Sequence, residues 1–309
     1  MKLLAITAGR KMGNTEIVVK EALMAAQELG AEIQMINLHD FRILPCTGCE
    51  SCTMKVTRGG KPECIHKDKD DMDRIMQAVL KCNGLIIGVP VYELQPPGIY
   101  NVFANRFLPY EVAFLLEAKI IDKAPERVAG LIAVGGSTPT WMTMALPSLY
   151  ISMFTQTIKV VDQMLVTGVP RPGQVLLKEE FLARARRMGE NLVRAMQTPW
   201  AEVQWLGDED GWCPVCHSNL LLLGKPRWDG EQYTVECAVC GAGGNIETRE
   251  GKPVFVVDKR SLRTYRLESE TRKDHFYEIK TNHDYFFANA DKVKEKLGRY
   301  REFKVPGLD

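Results

Sequence analysis

The chain has 309 residues, of which 45% are hydrophobic and 26% charged. That length allows two domains, and that apolar content allows each a packed core. A net charge of +1 gives no field that would gather nucleic acid or an anionic membrane, and no apolar run is long enough to cross a bilayer.

The chain opens directly on a short apolar run, Leu3-Leu4-Ala5-Ile6, with no basic and apolar leader before it. This predicts a first strand and a cytoplasmic location. A loop of small, hydroxylated and basic residues follows, Thr7-Ala8-Gly9-Arg10-Lys11-Met12-Gly13-Asn14-Thr15-Glu16, and then the helical spacing Ile17, Val18, Ala22, Leu23. A strand that turns through such a loop into a helix can cradle a phosphate. The first helical N–H groups are unpaired, and the helix dipole favours negative charge beside them. Thr7, Asn14 and Thr15 offer side-chain hydrogen bonds and Arg10 a charge-assisted one, while Gly9 and Gly13 permit close approach of the backbone. An ordinary strand–turn–helix with polar N-cap residues is the plainer alternative.

Further along, Glu32–Leu38 alternates as a strand, and Met72, Ile75, Met76 and Val79 mark a helix within 68–80. Gly84–Val89 and Val128–Val134 are continuous apolar runs between breakers, as expected of strands buried on both faces of a parallel sheet. Helices are predicted near Tyr100–Phe107, Ala145–Thr155 and Glu179–Gln197, and a last strand within 156–166. Strand and helix alternating about five times imply an α/β fold with a parallel five-stranded sheet. Ligands of such sheets bind at the carboxyl ends of the strands, so loops 7–15, 90–97 and 135–138 are expected to share one site.

The first loop, T-x-G-R-x-x-G-N-T, together with Gly88-Val89-Pro90-Val91-Tyr92, Asn105-Arg106-Phe107 and Gly135-Gly136-Ser137, resembles the flavodoxin-like, NAD(P)H-dependent FMN reductase family over roughly residues 1–200. The resemblance implies that Thr7, Arg10, Met12, Gly13, Asn14 and Thr15 hold the FMN phosphate. It implies that Pro90, Val91, Tyr92, Gly135, Gly136 and Ser137 frame the flavin ring, and that the protein is a homodimer or tetramer with the flavin near a subunit interface. The plainer reading of Tyr92 is a half-buried aromatic at a strand end. The run Glu93-Leu94-Gln95-Pro96-Pro97-Gly98 departs from the small residues usual in that loop, and its two prolines stiffen it.

Eight of the nine cysteines fall into two groups, which in a chain without a secretion signal suggests metal rather than disulfides. In the first group Cys46, Cys49 and Cys52 are two residues apart, and Cys64 follows after eleven more. This pattern, with Asp70-Asp71-Met72 behind it, resembles the iron–sulfur flavoprotein branch of the same family, although the last gap is longer than usual there. A four-iron four-sulfur cluster, reactive free thiols and small buried cysteines are three competing readings. Cys82 stands alone before a strand, as a core residue would.

Composition changes after Trp200. A polar stretch, Leu206–Gly211, reads as a linker, then Cys213-x2-Cys216 and Cys237-x2-Cys240 are separated by twenty residues. Two such knuckles flanking short strands (220–223 and 232–236, with a turn at Asp229-Gly230) are a zinc-ribbon signal, and four thiolates leave a tetrahedral ion no open position. A rubredoxin-like mononuclear iron is the alternative, and His217 is expected to be a loop residue. A strand is expected at Pro253–Val257 and a helix at Asn289–Tyr300. The expected domains are therefore 1–204, flavodoxin-like and FMN-binding, and 205–309, a ribbon with an extension packed on the flavin domain or on a second subunit.

The expected activity is hydride transfer from NAD(P)H to FMN and onward to a flavin, quinone or other acceptor, with no catalytic acid or base required. An iron–sulfur electron carrier between ferredoxin-like partners is the alternative within the enzyme class. A redox-sensing binding protein is the alternative outside it.

Overall fold

In the computed structural model the described residues are 1–208, 211–224, 231–266 and 268–302. The expected parallel sheet is present. Its strands are β1 (Lys2–Thr7), β2 (Glu32–Asn37), β3 (Gly84–Pro90), β4 (Arg127–Val134) and β5 (Ile158–Val166), in the order β2-β1-β3-β4-β5 and all parallel. This is the flavodoxin-type order, with its topological switch between β1 and β3.

The helices are α1 (Asn14–Glu28), α2 (Ser51–Thr57), α3 (Met72–Lys81), α4 (Gly98–Ala104), α5 (Val112–Glu117), α6 (Ala145–Phe154) and α7 (Glu179–Gln197), followed by α8 (Ser269–Ala288) and α9 (Ala290–Glu302) near the C-terminus. Burying β3 and β4 on both faces requires apolar cover on each. Val18, Val19 and Ala22 of α1 and Met188 and Leu192 of α7 close one face. Met72, Ile75 and Met76 of α3, Tyr100 and Phe103 of α4, and Leu149 and Met153 of α6 close the other.

The C-terminal third carries a four-stranded antiparallel sheet in the order β6-β7-β8-β9, formed by Leu221–Leu223, Val235–Cys237, Gly243–Arg249 and Lys252–Val257. β8 was not expected; its sequence, Gly-Gly-Asn-Ile-Glu-Thr-Arg, is mostly exposed and carries little apolar signal. The turn expected at Asp229-Gly230 lies outside the described residues. The sheet is not tethered loosely. Cys213, Cys216, Cys237, Cys240, Val235 and Phe255 belong to the same buried cluster as the α3, α4 and α6 side chains.

The stretch read as a linker is likewise fixed where it is described. Leu206 N donates to Val161 O at 2.7 Å, and Asp208 pairs with Arg184 Nε at 2.9 Å and with Arg187; Glu209 and Asp210 lie outside the described residues. Of the two placements left open for the C-terminal extension, the structure shows contact with the flavodoxin-like part. α8 lies against α2 and α5: Phe276 packs edge-on to Phe114 at 5.7 Å, Thr57 Oγ1 and His283 Nδ1 are 3.2 Å apart, and Arg272 pairs with buried Glu111.

Candidate functional site

The three loops predicted to converge do so. A cavity of about 250 Å3 at the carboxyl ends of β1, β3 and β4 is lined by Arg10, Gly13, Asn14 and Thr15 from the first loop. Pro90, Val91 and Tyr92 line it from the second, and Gly135 and Gly136 from the third. A wider opening of about 490 Å3, bounded by His39, Pro97 and Ile99, shares Arg10 and Tyr92 with it.

Gly13 caps α1 with extended backbone and no side-chain hydrogen bond, and Ile17 N bonds Gly13 O at 3.0 Å. The N–H groups of the first helical turn therefore lack main-chain partners and face the cavity with the positive end of the dipole. Among the described residues the Arg10 guanidinium has no hydrogen-bond or ion-pair partner. A short, glycine-edged cradle with an uncommitted cation at its mouth fits a terminal phosphate.

Three expected site residues are not in the lining. Thr7 is fully buried, with Oγ1 3.5 Å from Ile36 O, so its hydroxyl faces β2. Met12 is 62% exposed and adopts positive φ, which turns its side chain away. Ser137 is exposed beyond the glycine pair.

Asn14 is in place, but its side chain is already committed. Nδ2 donates to Val169 O at 2.7 Å and to Arg171 O at 2.8 Å, and Oδ1 accepts from Val175 N at 3.2 Å. Its main-chain N–H is what remains for an anion. These bonds introduce a fourth loop that sequence reasoning missed: Val169, Pro170 and Pro172, after β5, complete the cavity wall. The available signal was positional, since 167–173 leaves the carboxyl end of a parallel strand. Gly136 shows why the third loop opens with glycines, because a Cβ there would lie 2.9 Å from Pro170 Cβ.

Tyr92 is 53% exposed at the cavity edge and starts a tight two-residue hairpin. Tyr92 N donates to Gln95 O at 2.9 Å and Gln95 N to Tyr92 O at 3.1 Å, while Glu93 and Leu94 both have positive φ. Positive φ at both central positions is the type I′ pattern, usually supplied by Asn-Gly. Met144 N donates to Leu94 O at 3.1 Å, which clips this loop to the segment after β4.

The second cysteine set forms a metal-competent centre. Cys213, Cys216, Cys237 and Cys240 are all buried, and their Sγ atoms lie within 4.8 Å of one another. Two of the separations are 3.6 and 3.5 Å. A tetrahedral ion with metal–sulfur bonds near 2.3 Å requires sulfurs about 3.8 Å apart, so the donor set fits one closed four-thiolate ion. The same geometry suits zinc and iron. His217 is a loop residue, as expected; its ring stacks on Trp205 at 4.0 Å.

Cys46 and Cys49 are exposed, and Cys52 and Cys64 half-buried. Among the described residues the 213–240 set is the only group with single-ion spacing. Burial pushes the Cys52 thiol up to about 11, and Cys46 and Cys64 are near enough for their charges to act on it. Cys82 is buried beside Arg127, and burial pushes its thiol up to about 11.

Comparison with known proteins gives four findings. The profile of the NADPH-dependent FMN reductase family matches residues 1–161. A flavone synthase of Aspergillus candidus is 28% identical over 297 residues, spanning 90% of this chain and 88% of that protein. The solved structure of a flavone reductase superposes with a TM-score of 0.78 at 26% identity, covering 100% of both chains. By contrast, an iron-sulfur flavoprotein of Methanocaldococcus jannaschii is 34% identical over 138 residues, 44% of this chain and 63% of that protein.

Proposed function

The chain belongs to the NADPH-dependent FMN reductase family, and from that premise we propose that it passes electrons from NAD(P)H through FMN to a flavone-type acceptor, a flat aromatic ketone with a conjugated ring double bond. The protein is an FMN oxidoreductase with a nicotinamide nucleotide as co-substrate. Bound FMN supplies a two-electron carrier that takes up hydride and releases it. In this reading the N–H groups of Asn14–Glu16, the Thr15 hydroxyl and the Arg10 guanidinium bind the phosphate. Asn14 fixes the fourth loop through its side chain. Pro90–Tyr92 and Gly135-Gly136, which line the cavity from two loops, would hold the ring.

The observation that carries the choice of acceptor is coverage. The likeness to the flavone synthase and the flavone reductase runs the length of the chain, through the ribbon and α8, whereas that to the iron-sulfur flavoprotein stays within less than half of it. The balanced reaction is flavone plus NAD(P)H plus a proton, giving the 2,3-dihydro ketone and NAD(P)+. Hydride adds at the ring carbon β to the carbonyl, and a proton from solvent adds at the α carbon. Chromatography of flavone incubated anaerobically with the FMN-loaded protein and NADH or NADPH tests this. A product two mass units heavier is expected, and unchanged flavone while the nucleotide is consumed contradicts it.

We also propose zinc at Cys213, Cys216, Cys237 and Cys240, since a closed, buried four-thiolate site suits a structural ion. A second reading concerns Cys46, Cys49, Cys52 and Cys64 as ligands of a four-iron four-sulfur cluster. It is supported by Cys46 and Cys64 both lying near enough to Cys52 for their charges to act on it and by the iron-sulfur flavoprotein relative, which matches 44% of the chain; iron and acid-labile sulfide analysis tests it. We take 1–204 as the flavin domain and 205–309 as the ribbon with its extension. We place the protein in the cytoplasm as a homo-oligomer. Exposed Met12, Leu94, Trp141 and Met144 on the site loops support the association. Among the described residues no helix is long and apolar enough to cross a membrane.

A further inference from the structure

Hydride transfer from a nicotinamide nucleotide to FMN needs no acid, but delivery of that hydride to a conjugated ketone does. Hydride arriving at the β carbon pushes the electron pair of the ring double bond onto the α carbon and the carbonyl oxygen, as an enolate. The α carbon must then take up a proton. A side chain placed to give it contributes about 100- to 10,000-fold in rate.

Four polar side chains line the cavity at the strand ends: Arg10, Asn14, Thr15 and Tyr92. A guanidinium does not give up its proton. The Asn14 side chain is taken up by Val169, Arg171 and Val175. Thr15 is 4% exposed in the first turn of α1, at the phosphate cradle. Tyr92 is left, and a phenol is among the groups that serve as general acids. Among the described residues its hydroxyl has no hydrogen-bond partner. Tyr92 also borders the wider opening, so it stands where the flavin cavity meets the outside and its half-exposed side chain meets water. The other titratable group at that opening, His39, does not line the cavity, and its Nε2 lies 3.2 Å from Ala8 O.

The main chain holds this tyrosine in place. Val91 N donates to Val134 O at 2.8 Å, which ties the loop to the end of β4. Tyr92 then closes the turn on Gln95 through left-handed Glu93 and Leu94, and Met144 N holds Leu94 O from outside. Left-handed backbone at two ordinary residues persists only where the surroundings impose it, and such strain gathers at functional sites. Here it fixes the residue at the cavity edge.

We propose that Tyr92 is the proton donor to the α carbon of the acceptor. The inference rests on the flavone-type reading above and adds a catalytic residue to it. The donor stands on a loop that frames the ring, which a hydride acceptor has to touch. A C–H bond forms at the β carbon as the ring double bond breaks, and the Tyr92 O–H bond breaks as the α carbon gains its proton. Water returns a proton to the tyrosinate. One NAD(P)H and one solvent proton are consumed for each dihydro ketone, and the acceptor gains the two electrons that the nucleotide loses.

The test uses the FMN-loaded, full-length protein, its Tyr92→Phe variant and a His39→Gln variant, with flavone and NADPH or NADH in deuterium oxide. The nucleotide brings protium to the β carbon, so deuterium marks the α carbon, and NMR of the 2,3-dihydroflavone tells on which face it lies. Flavin bleaching by the nucleotide is followed separately, and equilibrium titration of FMN and of flavone gives a readout independent of turnover. In the wild type and in H39Q deuterium is expected on one face. In Y92F, with both ligands still bound, dihydroflavone formed relative to flavin reduced is expected to fall by about 100-fold or more, and any residual product to carry deuterium on both faces. Deuterium on both faces with the wild type, wild-type yield and labelling in Y92F, or scrambling in H39Q instead overturns the proposal. Loss of FMN or flavone binding in Y92F assigns the tyrosine to holding the ring and also overturns it. Nucleotide consumption by the wild type with no dihydroflavone at all removes the flavone reading itself, and this assignment with it.

Discussion

Arg106 and Asp70 form an ion pair in which each side chain is only 2% exposed, with Nη1 2.6 Å from Oδ2. Arg106 follows the helix behind the second site loop, and Asp70 closes the segment that carries the first cysteine set. The same guanidinium nitrogen donates to Leu44 O at 2.6 Å, and Leu44 N donates to Asp70 Oδ2 at 2.9 Å. The pair thus fastens both ends of the cysteine segment to the end of α4, the helix behind the second site loop.

A pH dependence follows. Burial alone would push the Asp70 carboxyl up, but hydrogen bonds from Arg106, Leu44 N and Met72 N outweigh it and hold the group below its ordinary value. A depressed carboxylate stabilises the fold above its unfolded pKa, about 3.9, and loses that contribution as pH falls through the lower folded value. Asp70→Asn leaves Arg106 buried without a counter-charge, so we expect a loss of about 3–5 kcal/mol near neutrality. In denaturant titrations at several pH values the gap between variant and wild type should narrow below about pH 4. A constant gap down to acid pH would contradict it.

Gly189 lies in α7, where alanine ordinarily favours helix by up to about 1 kcal/mol. Here a Cβ would collide with the main-chain carbonyl of Ala22 in α1, a rigid neighbour. Gly189→Ala is therefore expected to destabilise by a net amount of about 1–3 kcal/mol. A raised melting temperature would show that the helices separate at little cost.

Glu93 and Leu94 both hold positive φ in the turn beside the cavity. Left-handed backbone costs about 1–2 kcal/mol for each ordinary residue, and Asn-Gly relieves it. The double variant Glu93→Asn/Leu94→Gly should gain roughly 1–2 kcal/mol and keep the main-chain bond from Met144 N to residue 94, read as a higher unfolding midpoint. A lower midpoint would mean that the side chains removed contribute more than the strain they impose.

Cys237→Ser removes one thiolate from the buried centre. Metal analysis should fall from about one ion per chain to well below that, with a stability loss of several kcal/mol, because ligand binding and folding of such a site are coupled. Retained metal and an unchanged midpoint would show that the four thiols do not share an ion.

The parallel sheet was legible because its central strands β3 and β4 are continuous apolar runs ended by Pro90 and Gly135, and β2 alternates, patterns that survive without tertiary information. The site was legible to the level of loops, since carboxyl ends of parallel strands converge whatever their sequence. Side-chain direction was not. Thr7 and Met12 sit in the right loop, yet one faces β2 and the other solvent, which depends on local φ, ψ and strand pairing. The Asn14–Val169 bond joins residues 155 positions apart, and no local pattern announces it. α8 was missed because its aromatics lie all round the helix: Phe276 is buried while Tyr277, Tyr285, Phe286 and Phe287 are exposed, so no single apolar stripe emerges.

The decisive measurement is anaerobic mixing of the FMN-loaded protein with NADPH and, separately, with NADH, followed by the visible absorption of the flavin. The arrangement of the four loops predicts that FMN stays with the protein through gel filtration, and that at least one nucleotide bleaches its oxidised bands. Failure to retain FMN, or bound FMN that stays oxidised with both nucleotides, would contradict it.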